Sequence, residues 1–256
     1  MILAIDVGNT TMEFGIFEKD ALKANFRLNT NHEMTSDEIG LLTSQFFTAQ
    51  NIALSKIDDI IISTVVPQIM YSVTAACKKY FGKMPIIAGK DISINIPNFY
   101  DNPKEVGTDR LVTSYAAIKL YGPPFIIIDF GTATTFDTVS KNGEYLGGVI
   151  FPGIKLSLLS LVKNTAKLPI VELLVPEKAI GTNTIGSMQS GIVHGYAGAV
   201  KNIIEMLKNE LAAKDEKVKT IATGGLSQII QDTSPGIFDE INKTLTLQGL
   251  NILYRN

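Results

Sequence analysis

One segment occurs twice in this chain, and the repeat limits the folds open to it. Near the start the residues run Ile2-Leu-Ala-Ile-Asp6-Val-Gly8-Asn-Thr10; in mid-chain they run Ile126-Ile-Ile-Asp129-Phe-Gly131-Thr132-Ala-Thr134. Each copy is an apolar run, then Asp, an apolar residue, Gly and a short polar turn. Each is followed by a second strand-like stretch, Met12 to Phe17 and Thr135 to Val139. Apolar runs of this length suit buried strands. The glycine-led turns expose backbone N–H groups and hydroxyls with little bulk, so a phosphate can approach closely. Each Asp sits at the mouth of its strand, where a carboxylate can hold a cation. Strand-Asp-x-Gly alone is a common structural turn; two copies in matching order point to a cleft for a phosphorylated nucleotide and its metal.

The chain has 256 residues, room for one large or two modest domains, with 45% apolar and 19% charged residues. Formal net charge is −2, and no Lys/Arg block stands out, so neither nucleic acid nor an anionic membrane is an expected partner. The single cysteine, Cys77, rules out a disulfide framework within the chain and suits a reducing, cytoplasmic setting. Cys77 lies in an expected amphipathic helix and reads as a structural thiol. The N-terminal stretch has no signal-peptide pattern, and no apolar run approaches the ~18–20 residues of a membrane span.

Along the chain, residues 1–17 read as a hairpin with the first polar turn at its tip, and Ala21 to Leu28 as a third strand. Thr35-Ser-Asp-Glu38 has capping-box spacing for a helix through Gln50. Ile57 to Val65 reads as a strand, Pro67 as the first turn of a helix through Phe81, and Ile86 to Ala88 as a short strand. This order implies a βαβ unit with a right-handed crossover. Residues 91–110 are irregular, and Thr108 or Asp109 caps a helix from Leu111 to Tyr121. Gly122-Pro-Pro124 marks a boundary, dividing the chain into domains 1–122 and 123–256. In the second half, Asn142-Gly143 signals a hairpin. Helices are expected over Ile154 to Leu161 and Thr184 to Asn209, and a strand over Lys219 to Thr223. Gly191, Gly195 and Gly198 inside the long helix each weaken it by about 1 kcal/mol relative to Ala, which implies close packing or ligand approach.

The paired turns resemble the phosphate loops of the actin-like ATPase and sugar kinase superfamily. That likeness implies an α/β fold of two duplicated ribonuclease H-like, actin-like ATPase domains with a nucleotide cleft between them. Three segments narrow it: Asp6-Val-Gly-Asn-Thr10, Gly107-Thr-Asp-Arg110 and Asp129-Phe-Gly-Thr-Ala-Thr-Thr-Phe-Asp137. In this order they resemble the type III pantothenate kinases. Gly147 to Lys155, Thr165 to Pro169, Ile180 to Thr184, Met188 to Gly191 and Thr223 to Leu226 extend the resemblance over nearly the whole chain.

The resemblance implies ATP-dependent phosphorylation of pantothenate, the first step of coenzyme A synthesis. It implies an ATP segment of Asp6, Val7, Gly8, Asn9, Thr10, Thr11, Met12 and Glu13, with Thr132 contacting ATP from the second turn. Asp6 would position Mg²⁺ through water, and Asp129 would bind K⁺ or NH₄⁺. Asp109 would accept the proton of the pantothenate hydroxyl, and Tyr100, Gly107, Thr108, Asp109, Arg110 and Thr184 would bind pantothenate. The family is also a homodimer with its substrate near the subunit interface. Each residue has a plainer alternative: Asp129 as a turn-forming strand-end Asp, Asp109 as a helix cap, Arg110 as a surface cation, Tyr100 as loop packing. His32 and His194 match no metal-ligand spacing. Thr11 stands where the family usually has Asn, Glu13 is acidic beside an expected triphosphate, and Thr182 stands where Lys is usual. The rival readings are another small-molecule kinase of the superfamily, or a ligand-sensing regulator that kept the fold. The presence of Asp6, Asp109 and Asp129, and the lack of a basic DNA-binding segment, argue against a regulator.

Overall fold

An apolar run becomes a central strand when neighbours cover both its faces, and Ile2–Val7, here β1, is such a run. The computed structural model describes residues 1–211 and 217–256. β1 pairs antiparallel with β2 (Thr11–Glu18) and parallel with β4 (Asp59–Thr64). β3 (Ala21–Asn29) and β5 (Ile86–Ile87) form the edges, giving the order β3-β2-β1-β4-β5. A second sheet repeats this design. β6 (Phe125–Phe130) pairs antiparallel with β7 (Ala133–Val139) and parallel with β9 (Lys219–Thr223). With β8 (Tyr145–Pro152) and β10 (Glu240–Ile241) the order is β10-β9-β6-β7-β8. The duplication expected from the repeated segment is therefore present strand by strand.

Side chains alternate across each strand, so each sheet carries two apolar layers. In the first, Leu3, Ile5 and Val7 pack into a cluster with Phe47 of α1 (Ser36–Ala49) and Val73 of α2 (Met70–Ala76). Ile2 and Ala4 face the other way, toward Val112 and Tyr115 of α3 (Thr108–Tyr121). The capping box expected at Thr35 forms: its hydroxyl accepts from the Glu38 amide, and the Glu38 carboxylate accepts from the Thr35 amide. Pro67 opens a 3₁₀ turn ahead of α2, whose last turn widens to π geometry through Phe81. Cys77 is buried there, and burial pushes its thiol up to about 12, which leaves it unreactive at neutral pH.

In the second sheet, Ile126, Ile128 and Phe130 pack with Ile154 of α4 (Ile154–Lys163) and with Tyr196, Val200 and Ile204 of α5 (Thr184–Leu211). α6 (Ser227–Thr233) adds Ile230.

Two features differ from the sequence reading. α3 starts at Thr108, not Leu111: the Leu111 amide already donates to the Gly107 carbonyl at 3.3 Å. Asp109 therefore lies within the first turn and is not the cap. The second is α7 (Leu245–Arg255), an unexpected helix whose Leu247, Leu250 and Leu253 fill the α3 side of the first sheet. Gly249, near its middle, hides the helical signal. Glycine is required there, because a Cβ would stand 2.5 Å from the Val112 carbonyl oxygen.

The chain divides into two compact units, one of residues 1–96, 101–120 and 245–256, the other of residues 97–100 and 121–244. The C-terminal helix thus belongs with the first unit, although a single cut at residue 122 groups it with the second half. Residues 97–100, inside the long irregular stretch, belong with the second unit. No helix among the described residues is long and apolar enough to cross a membrane.

Candidate active site

Where parallel strands end together, the turns that follow them share one edge of the sheet, and ligand groups collect there. In the first unit, Asp6 is the penultimate residue of β1 and lies beside Ser63 of β4. The chain then turns through Gly8, Asn9 and Thr10. The Gly8 amide donates to the Thr11 carbonyl at 3.1 Å. Thr30, just past β3, steadies the turn: its hydroxyl donates to the Gly8 carbonyl at 2.7 Å and its amide to the Thr10 carbonyl at 2.8 Å. Asn9 and Thr10 remain exposed. Val7 and Met12 have fully buried side chains, so their contribution to a nucleotide would be main-chain only.

Glu13 answers the question its charge raised. It lies directly opposite Asp6 in the β1–β2 pairing and opposite Arg27 in the β2–β3 pairing. The three side chains form one row on one face. The Arg27 guanidinium sits 2.6 Å from Glu13 Oε1, so the carboxylate is paired rather than left facing Asp6 alone. Burial raises the Glu13 pKa above its ordinary 4.5 and Arg27 pulls it back. Arg27 carries no local signal in the sequence; its place opposite Glu13 is set by strand register.

The helix-start residues come to the same edge. Val65 follows β4 and its amide donates to the Val7 carbonyl at 3.2 Å. Gly107 lies against Val65: a Cβ there would meet Val65 Cγ1 at 3.3 Å and collide with Asp109 Oδ1. Glycine at 107 is thus what lets the Asp109 carboxylate fold back over the helix start. The Arg110 amide donates to Asp109 Oδ1 at 2.8 Å. The Thr113 hydroxyl ties the Asp109 carbonyl at 2.7 Å and meets the Thr246 hydroxyl of α7 at 2.8 Å. Thr108, Asp109 and Arg110 are all part-exposed, and a carboxylate in a first helical turn is favoured by the helix dipole.

The second unit repeats the turn one residue shorter. Asp129 lies beside Thr135 of β7 and Thr223 of β9, and the Gly131 amide donates to the Ala133 carbonyl at 3.1 Å. Two glycines let backbone crowd this turn. A Cβ at Gly153 would collide with the Thr132 carbonyl, and one at Gly224, where φ is +85°, would stand 2.6 Å from the Phe130 carbonyl oxygen. Thr132 itself is exposed at the tip. Tyr100 is part-buried against Gly147. Thr184 opens α5 at an open concavity of about 610 Å³ lined also by Leu161, Leu168, Asn183 and Met188. The structure therefore gathers Asp6, the Gly8–Thr10 turn, Glu13 and the 107–110 helix start in one unit. Asp129, Thr132, Tyr100 and Thr184 lie in the other.

The family model described as type III pantothenate kinase matches residues 2–206. Among solved structures, the chain is similar to a conserved putative Baf family transcriptional activator from Campylobacter jejuni. That match has 20% identity and a TM-score of 0.58, and covers 99% of this chain and 97% of that one. It is similar to a putative 2-dehydro-3-deoxygalactonokinase from Sinorhizobium meliloti at 12% identity and TM-score 0.54, covering 100% and 96%. An ethanolamine utilization protein from Carboxydothermus hydrogenoformans matches at 14% identity and TM-score 0.54, covering 98% and 89%. At these identities the solved structures show the fold, a two-domain actin-like ATPase and sugar kinase architecture, and nothing about substrate.

The Glu13–Arg27 pair yields a titration test. With its folded pKa raised, Glu13 adds stability that is present below pH 4.5 and is lost as pH rises through the raised value. Arg27→Gln removes the one lowering influence, so the Glu13 midpoint moves up further and that loss extends to higher pH. Carboxyl ¹³C shifts followed against pH read the midpoint directly; an unchanged midpoint would mean the pair carries no electrostatic coupling.

Proposed function

The chain belongs to the type III pantothenate kinase family, and from that premise we propose that it phosphorylates pantothenate with ATP. The products are ADP and 4′-phosphopantothenate, as in the first step of coenzyme A synthesis. The observation that supports this most is Asp109, held in the first turn of α3 by Gly107 and placed at the edge where the first Asp-x-Gly turn ends its strand.

In this reading the primary hydroxyl oxygen of pantothenate attacks the γ-phosphorus. A new O–P bond forms, the bond to the β-phosphate bridging oxygen breaks, and the hydroxyl proton passes to the Asp109 carboxylate. A carboxylate with a reference pKa of about 3.9 is a weak base at pH 7. A loose phosphoryl-transfer transition state tolerates this, because deprotonation comes late. Arg110 is suited to the pantothenate carboxylate through a forked pair, with Gly107, Thr108, Tyr100 and Thr184 completing the substrate contacts. The Gly8–Thr10 turn and Thr132 take the ATP phosphates through exposed amides and hydroxyls.

Kinases of this family use ATP with a divalent cation. The residues present fit Mg²⁺: Asp6, the penultimate residue of β1, supplies one carboxylate just before the Gly8–Thr10 turn. One carboxylate acting through water beside phosphate oxygens is the arrangement Mg²⁺ favours. Asp6 would act in this way, and the cation would offset charge on the phosphate oxygens. The oxygen-rich surroundings of Asp129, with Thr135 and Thr223 in register, suit a monovalent cation.

Release of ADP in the presence of pantothenate, hexoses and short acids tests the reaction. Robust turnover is expected with pantothenate alone, and equal turnover on a hexose would refute the substrate assignment. Asp109→Asn should lower kcat by about 10²–10⁴-fold while nucleotide still binds. An unchanged kcat would return Asp109 to a purely structural role.

Activity should also require K⁺ or NH₄⁺, with Na⁺ and Li⁺ poor substitutes, and Asp129→Ala should lose both rate and ion dependence. Full turnover in buffer stripped of K⁺ and NH₄⁺ would sink the assignment.

The working unit is read as a homodimer through α5. Gly191, Gly195 and Gly198 lie on its exposed side, and a Cβ at any of them would meet nothing within 4 Å. Packing against the described residues therefore does not account for these glycines, whereas close approach of a second copy does. Exposed Leu156 and Leu159 on α4 and Ile185 on α5 add apolar surface. Gly195→Leu should shift sedimentation toward monomer and weaken pantothenate binding. A fully active monomer of the unchanged protein would contradict the dimer.

A further inference from the structure

Asp137 is a carboxylate that the phosphoryl transfer does not use. It sits in the middle of β7 and is only 2% exposed. A buried carboxylate persists only with hydrogen-bond donors around it. The Tyr145 hydroxyl donates to its Oδ1 at 2.7 Å, and the Thr135 hydroxyl to its Oδ2 at 3.2 Å. Tyr145 reaches it because of a β-bulge. Thr138 pairs with Gly147, but Val139 pairs with Tyr145, so Leu146 is an extra residue in β8. A one-residue slip reverses the face a side chain points to. Here it turns Tyr145 onto the face shared by Asp137 and Asp129, and leaves Leu146 exposed.

The main chain of Tyr145 does a separate job. Its amide donates to the Pro97 carbonyl at 2.8 Å, and its carbonyl accepts from the Phe99 amide at 2.9 Å. Residues 97–99 thus form a short strap on the start of β8, bridged at Asn98. Tyr100 follows at once, its amide donating to Asn98 Oδ1 at 3.0 Å. Its ring lies over Gly147, where a Cβ would come within 3.3 Å of it and where φ is +118°. The Thr138 hydroxyl holds Gly147 in place through its carbonyl at 2.8 Å.

We propose that Asp137 is a positioning residue for the acceptor substrate: by anchoring the Tyr145 ring it fixes the 97–99 strap and, through it, the place of Tyr100. The role in catalysis rests on the reading of Tyr100 as a pantothenate contact; the role in holding the strap does not. The strap also explains why 97–100 group with the second unit although the chain on either side of them belongs to the first.

The test uses Tyr145→Phe, Asp137→Ala and Asp137→Asn in the full chain. Asn keeps an oxygen acceptor for Tyr145, so it should behave like the unchanged protein. The other two should speed hydrogen exchange at the Phe99 and Tyr100 amides by about tenfold or more, with the β6 and β9 amides unaffected. In the same two variants KM for pantothenate should rise about tenfold while KM for ATP stays within about twofold. If Asp137→Ala does not fold, Tyr145→Phe carries the comparison. Unchanged exchange at the strap overturns the proposal. So does exchange that rises throughout the sheet, or a KM shift shared equally by the two substrates. Absence of pantothenate turnover in the unchanged protein refutes the proposed reaction instead, and the exchange measurement then still decides whether Asp137 holds the strap.

Discussion

In each unit the candidate residues depend on one kind of pairing, a parallel ladder that ends at an aspartate or one residue past it. β1 runs beside β4 past Asp6, which stands next to Ser63, to Val7 next to Thr64, and β6 runs beside β9 until Asp129 stands next to Thr223. In a parallel pair the carboxyl ends lie together, so the next turn of each strand opens on the same edge. The antiparallel partner, β2 or β7, then returns the chain from that edge after a glycine. Carboxylate, amides and hydroxyls are gathered by strand geometry alone, before any loop has to be ordered. The 107–110 segment reaches this edge because Val65 continues the ladder one residue past β4 and Gly107 packs on it.

Charge is handled by the same geometry. A second acid directly opposite Asp6 would weaken an anion site if left alone, since like charges across a strand pair repel. Arg27 supplies the counter-charge from the next strand, in the same row. The departure at Glu13 therefore comes with a partner, and the two read as one unit. In the second sheet Thr135 stands opposite Asp129, and Asp137, two residues farther along β7 on the same face, accepts from the hydroxyls of Thr135 and Tyr145.

Elements that announce themselves locally were legible in the sequence. The repeated Asp-x-Gly turns, the Thr35 capping box, the Asn142-Gly143 hairpin and the long α5 each carry their signal within a few residues. The matching orders of the two sheets follow from the repeat. Features set by a distant neighbour were not legible. Gly249 breaks the pattern of α7 because it must clear Val112, which lies more than a hundred residues earlier. Arg27 gains its meaning from register with Glu13, and Tyr145 from a bulge that no composition rule marks. α3 starts three residues before the expected Leu111 because Thr108 and Asp109 look like caps, while the glycine before them is what the helix begins from.

The last helix carries a consequence for how the polypeptide is made. Leu247, Leu250 and Leu253 complete the layer that covers Ile2 and Ala4, yet the ribosome synthesises them after the whole of residues 121–244. The usual order, in which the first domain is finished while later ones are still emerging, leaves the first unit without α7 until synthesis reaches residue 245. The second unit has nearly all its chain in one contiguous stretch and can close while the first still shows an open apolar face. During that interval the nascent chain exposes the α3 side of its first sheet, the surface a holding chaperone would cover until α7 arrives.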